Sequence, residues 1–372
     1  MIRSQGSAAL APMVLIEGRG TIEGTKRFRK RFAKVYDDHF YRELGDGPLV
    51  SSLGLGTYLG ECDDDEDARY TTAAGAALEK GINLFDTAIN YRCQRSERAI
   101  GAAIRNAIAM RAVKREEIVV CTKGGYIPLD KTAPPTKEAY REFLASEYFR
   151  RGVMQPSEVI AGGHCLAPAY LDDQIERSRN NLGLEMIDVY YLHNPEQQLD
   201  VLDRSHFLRV MRDAFATLEA QVKRGAIGMY GCATWNGFRV TGESRNHLSL
   251  EELVSLAREV GGPKHHFKVV QLPINLAMTE AVRLPTQRVK TQQLSLLEAA
   301  GRLGVSVVAS ATLMQAQLAR SLPEQVRASF PGFQSDARRA IAFTQSLPVA
   351  AALVGMKSRA HLEENLELPK AR

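Results

Sequence analysis

From about residue 50 onward the apolar positions fall into two alternating patterns: short runs rich in Val, Ile and Leu, each followed by a longer segment with helical spacing. The short runs are LVSSLGLGT, INLFDTA (82–88), IVVCTKG (118–124), IDVYYLHN (187–194), IGMYGCAT (227–234), KVVQLPIN (268–275), VSVVASAT (305–312) and VAAALVGM (349–356), eight in all. Their near-continuous apolar character suits strands covered on both faces. The segments between them are DDEDARYTTAAGAALEKG, SERAIGAAIRNAIA, LDDQIERSRNNLG, LRVMRDAFATLEAQVKRG, SLEELVSLAREVG, TQQLSLLEAAGRLG, DARRAIAFTQSLP and SRAHLEENLEL. Several open on Ser, Thr or Asp, which accept hydrogen bonds from the first free helical N–H groups, and several close on Gly, which ends a helix at little cost. Serial β–α units with right-handed crossovers either wind into an open sheet or close into a barrel, and a count of eight favours a (β/α)8 TIM barrel. The fold class expected is therefore α/β, with an N-terminal extension (1–40), a barrel (41–372), and a long loop (124–170) inserted after the third strand.

Composition changes little in this picture. The chain has 372 residues, 45% hydrophobic and 24% charged, as in ordinary globular proteins, and a net charge of only +5. Much of the positive excess sits in KRFRKRFAK (26–34), readable as an amphipathic helix with a solvated face, so no nucleic-acid partner is implied. The five cysteines are scattered and form no CxxC pair, which argues against a disulfide framework or a structural zinc and for a reducing, cytoplasmic setting. The apolar run near the N-terminus is broken by Pro12 and ended by Glu17, too short for a membrane span and without a persuasive cleavage pattern.

In such barrels chemistry sits where strands end and loops begin. There the second strand presents Asp86, with Tyr91 five residues on; the third presents Lys123; the fourth presents His193. Each alone has a bland reading as a loop cap, a half-buried ring, a solvated amine or a core histidine. Together they suit hydride reduction of a carbonyl, in which oxygen gains charge and then needs a proton. A phenol is a poor acid at neutral pH unless a nearby cation stabilises its phenolate; Lys123 supplies the cation, Asp86 keeps it charged, and His193 orients the carbonyl or relays a proton.

The first strand raises a competing idea, because GLGTYLG contains G-x-G. Gly60 comes one residue too late for the dinucleotide fingerprint, and the acidic run ECDDDED that follows would repel a pyrophosphate. This stretch is better read as a barrel strand with Gly56, Thr57 and Tyr58 at its mouth.

With these residues assembled, the sequence resembles the aldo/keto reductase superfamily, from about Tyr41 to Leu368. YRELGDGPLVSSLGLGT resembles that family's opening hairpin and first strand, GINLFDTAINYRCQRSERAIGAAI its Asp and Tyr signature, SRNNLGLEMIDVYYLHNPE its His signature, and LVGMKSRAHLEENL its closing cofactor segment. The resemblance implies the TIM barrel, a catalytic tetrad of Asp86, Tyr91, Lys123 and His193, and a nicotinamide cofactor, NADPH in preference to NADH. It further implies cofactor contacts from Gly56, Thr57, Tyr58, Asp86, Thr234, Gln271, Ser310, Leu313, Gln315, Gly355, Lys357, Ser358, His361, Glu364 and Asn365. Lys357 and Ser358 sit where a 2′-phosphate would be met. Two departures stand out: CAT (232–234) replaces Ser-Asn opposite the carboxamide, and ASATLMQAQL (309–318) replaces a stretch that typically carries a stacking aromatic, at Ser310. A long loop at the catalytic mouth is usually functional, so the 124–170 insertion is expected to wall the substrate pocket with Tyr126, Tyr148, Phe149 and His164 as lining, and Tyr58 of the first strand's mouth is a further expected substrate contact. No metal is expected: His164 and Cys165 lack further ligands. The partner expected is a small carbonyl compound, with no nucleic acid and no membrane, and with homo-oligomerisation left open. An alternative class is a cofactor-binding regulatory or sensor protein with slow residual reductase activity, since some relatives, the β subunits of potassium channels, act as cofactor-sensing partners. The basic extension would be its contact surface.

Overall fold

The computed structural model describes residues 14–130 and 132–367. Residues 1–13 of the extension and Leu368 at the end of the family resemblance lie outside them. Eight parallel strands close into a barrel: β1 (Leu53–Gly56), β2 (Leu84–Asp86), β3 (Val119–Gly124), β4 (Ile187–His193), β5 (Ile227–Ala233), β6 (Phe267–Pro273), β7 (Ser306–Ser310) and β8 (Ala351–Gly355). They neighbour one another in chain order, and β8 pairs with β1 to complete the ring. Each strand is followed by a covering helix, in turn Asp64–Glu79, Arg95–Ala109, Pro168–Leu182, Arg204–Arg224, Leu250–Gly261, Leu296–Leu303, Asp336–Gln345 and Arg359–Asn365. Asp63, Asp203, Ser249, Ser295, Ser335 and Ser358 each cap a helix N-terminus with their side chains, and Gly183, Gly225 and Gly304 end helices in the left-handed conformation. Those residue types are the start and stop signals in the sequence.

Side chains alternate across each strand, and this alternation builds two cores. Outward residues such as Val120, Tyr190, Leu192, Tyr230, Val270 and Leu272 pack against the helices. Inward residues Leu84, Val119, Cys121, Val189, Tyr191, Met229, Val269 and Val308 fill the barrel. Continuing the inward parity by one step brings Asp86 above Leu84, Lys123 above Cys121, His193 above Tyr191, Gln271 above Val269 and Ser310 above Val308. Polar chemistry at the mouth thus rides on the same faces that fill the interior. At Gly231 the β5–β6 register shifts, and the two backbones approach so closely that a Cβ there would lie 1.6 Å from the Val269 carbonyl oxygen. Only glycine fits at that point.

Three details differ from the sequence reading. The stretch TQQL is not helical: Gln292–Leu294 pairs antiparallel with Gln287–Val289, turning at Lys290 (φ 55°), and the helix begins only after Ser295, which forms a capping box with Glu298. LVS (49–51) belongs not to the first barrel strand but to the hairpin with Tyr41–Glu43. The basic run lies on a helix, Ile22–Arg31, that is less solvated than its charge suggests. Phe28 is fully buried, Arg31 pairs with Glu117 at 2.9 Å and Arg27 with Glu116 at 3.0 Å, while Gly24 touches the Glu116 backbone where a Cβ would come within 2.0 Å. Because Arg115–Glu117 leads into β3, this helix lies at the N-terminal end of the barrel, away from the strand mouths. No helix among the described residues is long and apolar enough to cross a membrane.

Candidate active site

A cavity of about 610 Å³ opens at the C-terminal ends of the strands. Gly56, Thr57, Tyr58, Asp86, Tyr91, Tyr126, His193, Thr234, Gln271, Ser310, Leu313, Gln315 and Gly355 all line it. Lys123 does not reach the cavity surface. It lies beneath, 1% exposed, donating from Nζ to Asp86 Oδ1 at 2.5 Å and to the Thr87 carbonyl at 2.8 Å, with the Tyr91 ring centre 4.9 Å away. Asp86 Oδ2 accepts from Gln271 Nε2 at 2.7 Å, which uses one of the two amide N–H groups within the protein. Tyr91 and His193 meet edge to face at 5.8 Å, and Tyr58 meets Tyr91 at 5.1 Å.

The electrostatics follow from burial. Burial pushes the Tyr91 phenol above its ordinary value, and the Lys123 charge offsets this only partly, so the phenol holds its proton at neutral pH. Burial alone would lower Lys123, but the Asp86 charge and Tyr91 outweigh it and keep the ammonium charged. Burial, reinforced by the Lys123 charge and then by His164, drives His193 well below the usual histidine range, leaving it neutral. A proton-bearing phenol, a fixed cation under it and a neutral imidazole therefore surround one face of the cavity.

The insertion does not wall the pocket as expected. Of its candidate lining only Tyr126 reaches the cavity. Tyr148 is fully buried in a separate small core with Ile127, Leu144, Met154, Cys165 and Tyr170, and Phe149 packs against that core. The aromatic spacing in EAYREFLASEYF marks a helix (Lys137–Leu144) and a following π turn that bury their own apolar face. His164, 1% exposed, is also behind the wall rather than on it. Its ring hydrogen-bonds the His193 carbonyl oxygen through Nε2 at 2.7 Å and Gln198 Nε2 through Nδ1 at 2.8 Å. Because the amide N–H can only donate, His164 is the neutral Nε2–H tautomer, donating to the backbone of His193. The insertion reaches the site in two ways, through Tyr126 on the cavity wall and through the His164 bond that holds the His193 backbone.

Burial lowers the His164 pKa to about 4. The unfolded chain, with an ordinary histidine pKa of about 6.5, binds this proton first, so stability is complete above that value and declines as pH falls toward 4, by up to about 3 kcal/mol. Urea unfolding at pH 7 and pH 4.5 is expected to give a larger stability difference for the wild type than for His164→Gln. Equal differences would rule this linkage out.

Other expected cofactor residues lie beyond the cavity. Lys357 forms an ion pair with the buried Glu66, which also pairs with Arg69 at 3.3 Å. Ser358 caps the last helix by accepting from the His361 N–H at 3.2 Å; His361 is exposed, Glu364 half-buried and Asn365 buried. Several lining residues had no place in the sequence reading: Asn90, Asn194, Trp235, Thr312, Met314 and Ala316. Trp235, two residues past the end of β5, is the chain's single tryptophan, and that rarity is a signal the sequence does carry. Glu196, buried under the same loop, accepts from the N–H groups of Trp235, Asn236 and Gly237 at 2.9, 3.1 and 3.2 Å and so sets its path. Four buried polar atoms on the cavity walls have no protein partner: Asn90 Oδ1, His193 Nδ1, Thr234 Oγ1 and Thr312 Oγ1. Unsatisfied buried groups are costly, and all four belong to residues of one cleft, a pattern that suits a polar ligand there.

A closed parallel barrel with an acid–base cluster at its C-terminal mouth defines the class: a (β/α)8 protein with an enzyme-like site. The chain belongs to the aldo/keto reductase family, whose model matches residues 52–327. Among curated proteins it is 26% identical over 207 residues to aldo-keto reductase family 1 member C13 of Mus musculus, covering 52% of this chain and 50% of that protein. It is 28% identical over 159 residues to D-threo-aldose 1-dehydrogenase of a Pseudomonas species, covering 42% and 41%. The alignments thus span half or less of the length of these curated relatives. A solved aldo/keto reductase of Klebsiella pneumoniae in complex with NADP and acetate has the same fold, with TM-score 0.58 at 17% identity over 89% of this chain and 91% of that one. An aldo-keto reductase of the same organism in complex with NADPH scores 0.56 at 17% identity, with 88% of each chain covered.

Proposed function

We propose that the protein is an NADPH-dependent oxidoreductase that reduces an aldehyde or ketone to an alcohol, reversibly, with Tyr91 as the proton donor. The observation that carries this reading is the buried Lys123–Asp86 pair, 2.5 Å long, seated beneath the Tyr91 ring. A bound nicotinamide dinucleotide supplies the hydride. A substrate carbonyl lodged between Tyr91 and His193 receives hydrogen bonds from the phenol O–H and the neutral imidazole, which draw charge onto its oxygen. Tyr91 then gives its proton to that oxygen, and the phenolate left behind is stabilised by Lys123. Asp86 keeps Lys123 positive through the cycle. In the reverse direction the phenolate removes the alcohol proton.

The cavity fits such a cofactor on its own observations. Thr234 Oγ1 and Thr312 Oγ1, both without partners, offer hydrogen bonds along its wall, and Gly56 and Gly355, paired in the β1–β8 register, leave that edge free of side chains. Lys357 and Ser358 would meet a 2′-phosphate beyond Gly355, with Lys357 exchanging Glu66 for the phosphate. The Klebsiella relatives carrying NADP and NADPH support the preference for the phosphorylated cofactor.

The test is NADPH oxidation followed by absorbance across a panel of aldehydes and ketones, with cofactor binding read by quenching of Trp235. Turnover with at least one carbonyl and quenching by NADP+ are expected; the absence of both would overturn the reading. Lys357→Ala is expected to weaken NADP+ binding about tenfold or more while leaving NAD+ within about threefold, as befits loss of a charge-assisted phosphate contact. Equal weakening of both would remove Lys357 from the phosphate site.

A further inference from the structure

Two of the five cysteines stand apart from the others. Cys121, Cys165 and Cys232 are buried, whereas Cys62 is exposed and Cys93 partly so, and their sulfurs lie 3.6 Å apart. They are 31 positions apart in the chain and belong to different loops. Cys62 lies between β1 and the helix Asp64–Glu79; Cys93 lies between β2 and the helix Arg95–Ala109, two residues after Tyr91. Both loops carry cavity walls, Tyr58 and Leu59 on one and Asn90 and Tyr91 on the other.

The loops are already clamped around this pair. Arg92 donates from Nε to the Glu61 carbonyl at 2.7 Å and from Nη2 to Asp67 at 2.6 Å, so residues adjoining both cysteines are tied together. A disulfide needs the sulfurs at about 2.05 Å, an approach of roughly 1.5 Å that rotation about two Cα–Cβ bonds and a small loop shift can supply. That shift falls on a tense segment: Arg92, Cys93 and Gln94, none of them glycine, all occupy the left-handed region with φ of 49°, 53° and 69°. Three strained residues directly after Tyr91 couple any movement of Cys93 to the position of the phenol.

We propose that Cys62 and Cys93 form a reversible disulfide when the protein meets a hydroperoxide, and that this bridge lowers turnover by displacing the loop that carries Tyr91. Cys62, the more exposed sulfur, attacks the outer peroxide oxygen; the O–O bond breaks, giving a sulfenic acid on Cys62 and one molecule of water from hydrogen peroxide. The Cys93 sulfur then attacks the Cys62 sulfur. An S–S bond forms, the S–O bond breaks, and a second water leaves with the Cys93 proton. Two thiols have lost two protons and two electrons, and the peroxide has been reduced to water. A dithiol reverses the step by exchange. Burial pushes the Cys93 thiol up to about 11, which makes it the poorer first nucleophile toward a peroxide. The effect on turnover rests on the function proposed above; the disulfide does not.

The experiment takes the full-length protein, reduced and freed of reductant, and treats it with hydrogen peroxide. Fast-reacting thiols are counted, disulfide-linked peptides are mapped by mass spectrometry, and carbonyl reduction is assayed before oxidation, after it, and after dithiothreitol. The expected result is two fast thiols that disappear together, a peptide linking Cys62 to Cys93, and a loss of turnover of about tenfold or more that dithiothreitol restores, in keeping with the cost of misplacing a reacting group by about 1 Å. Cys62→Ser should form no link and keep its turnover under the same peroxide. Over-oxidation of Cys62 without a link overturns the proposal, and a link that leaves turnover unchanged overturns its effect on the site. A reduced protein inactive on every carbonyl would refute the proposed function while peptide mapping still decides the disulfide.

Discussion

Tyr91→Phe is expected to lower kcat for carbonyl reduction by about 10²- to 10⁴-fold, the range a positioned general acid contributes, while NADP+ affinity stays within about threefold. The substitution removes one oxygen from a half-buried ring that packs against Tyr58 and His193 and lies beside Lys123. The ring contacts survive, so the loss should appear in chemistry and not in binding. Steady-state rates with the best carbonyl of the panel, together with Trp235 quenching by NADP+, separate the two. Undiminished kcat would remove Tyr91 as proton donor and leave His193 as the neutral donor nearest the cavity. Because burial holds the phenol above its ordinary range, the rate of reduction in the wild type should not fall between pH 7 and pH 9 through loss of the Tyr91 proton.

Lys123→Met is expected to affect both stability and activity. It leaves Asp86, 4% exposed, with Gln271 as its remaining side-chain donor and no cation, and breaking a buried pair from one side costs about 3–5 kcal/mol. Activity should fall at least as far as in Tyr91→Phe, since the phenolate formed on proton transfer would have no positive charge beneath it. The double variant Asp86→Asn with Lys123→Met distinguishes the two consequences. It removes both charges and should recover much of the lost stability in urea unfolding, yet recover no turnover. Recovery of turnover would show that the pair is structural only. If the single variant keeps wild-type stability, the carboxylate is not held by the lysine.

Much of the fold and of the acid–base cluster is legible in the chain itself. The eight apolar runs correspond to the eight barrel strands, because a parallel strand buried on both faces has no choice but to be apolar throughout. Asp86, Lys123 and His193 are legible as site residues for a related reason. Each is an ionisable group ending such a run, where burying it would be costly unless it had partners and a use. Tyr91 follows from its offset of five residues beyond Asp86. The insertion is the exception, because its aromatic residues carry no mark of what they face. Tyr126 and Tyr148 look alike in sequence, yet one lines the cavity and the other is sealed in a core of its own.

Local sequence accounts for the periodicity, the capping residues and the parity that sends Leu84 and Asp86, Cys121 and Lys123, Tyr191 and His193 to the same side of their strands. These properties are set by the geometry of one strand or one helical turn. Which distant residues meet is a property of the folded barrel alone. Its assembly brings Gln271 to Asp86 across 185 positions, Lys357 to Glu66 across 291, and Cys62 to Cys93 across 31. Such pairs depend on the register and stagger of strands around the ring, which no single segment encodes. For the same reason the His164 bond to the His193 backbone, and the pairing of two sulfurs behind Tyr91, exist only once the chain has folded.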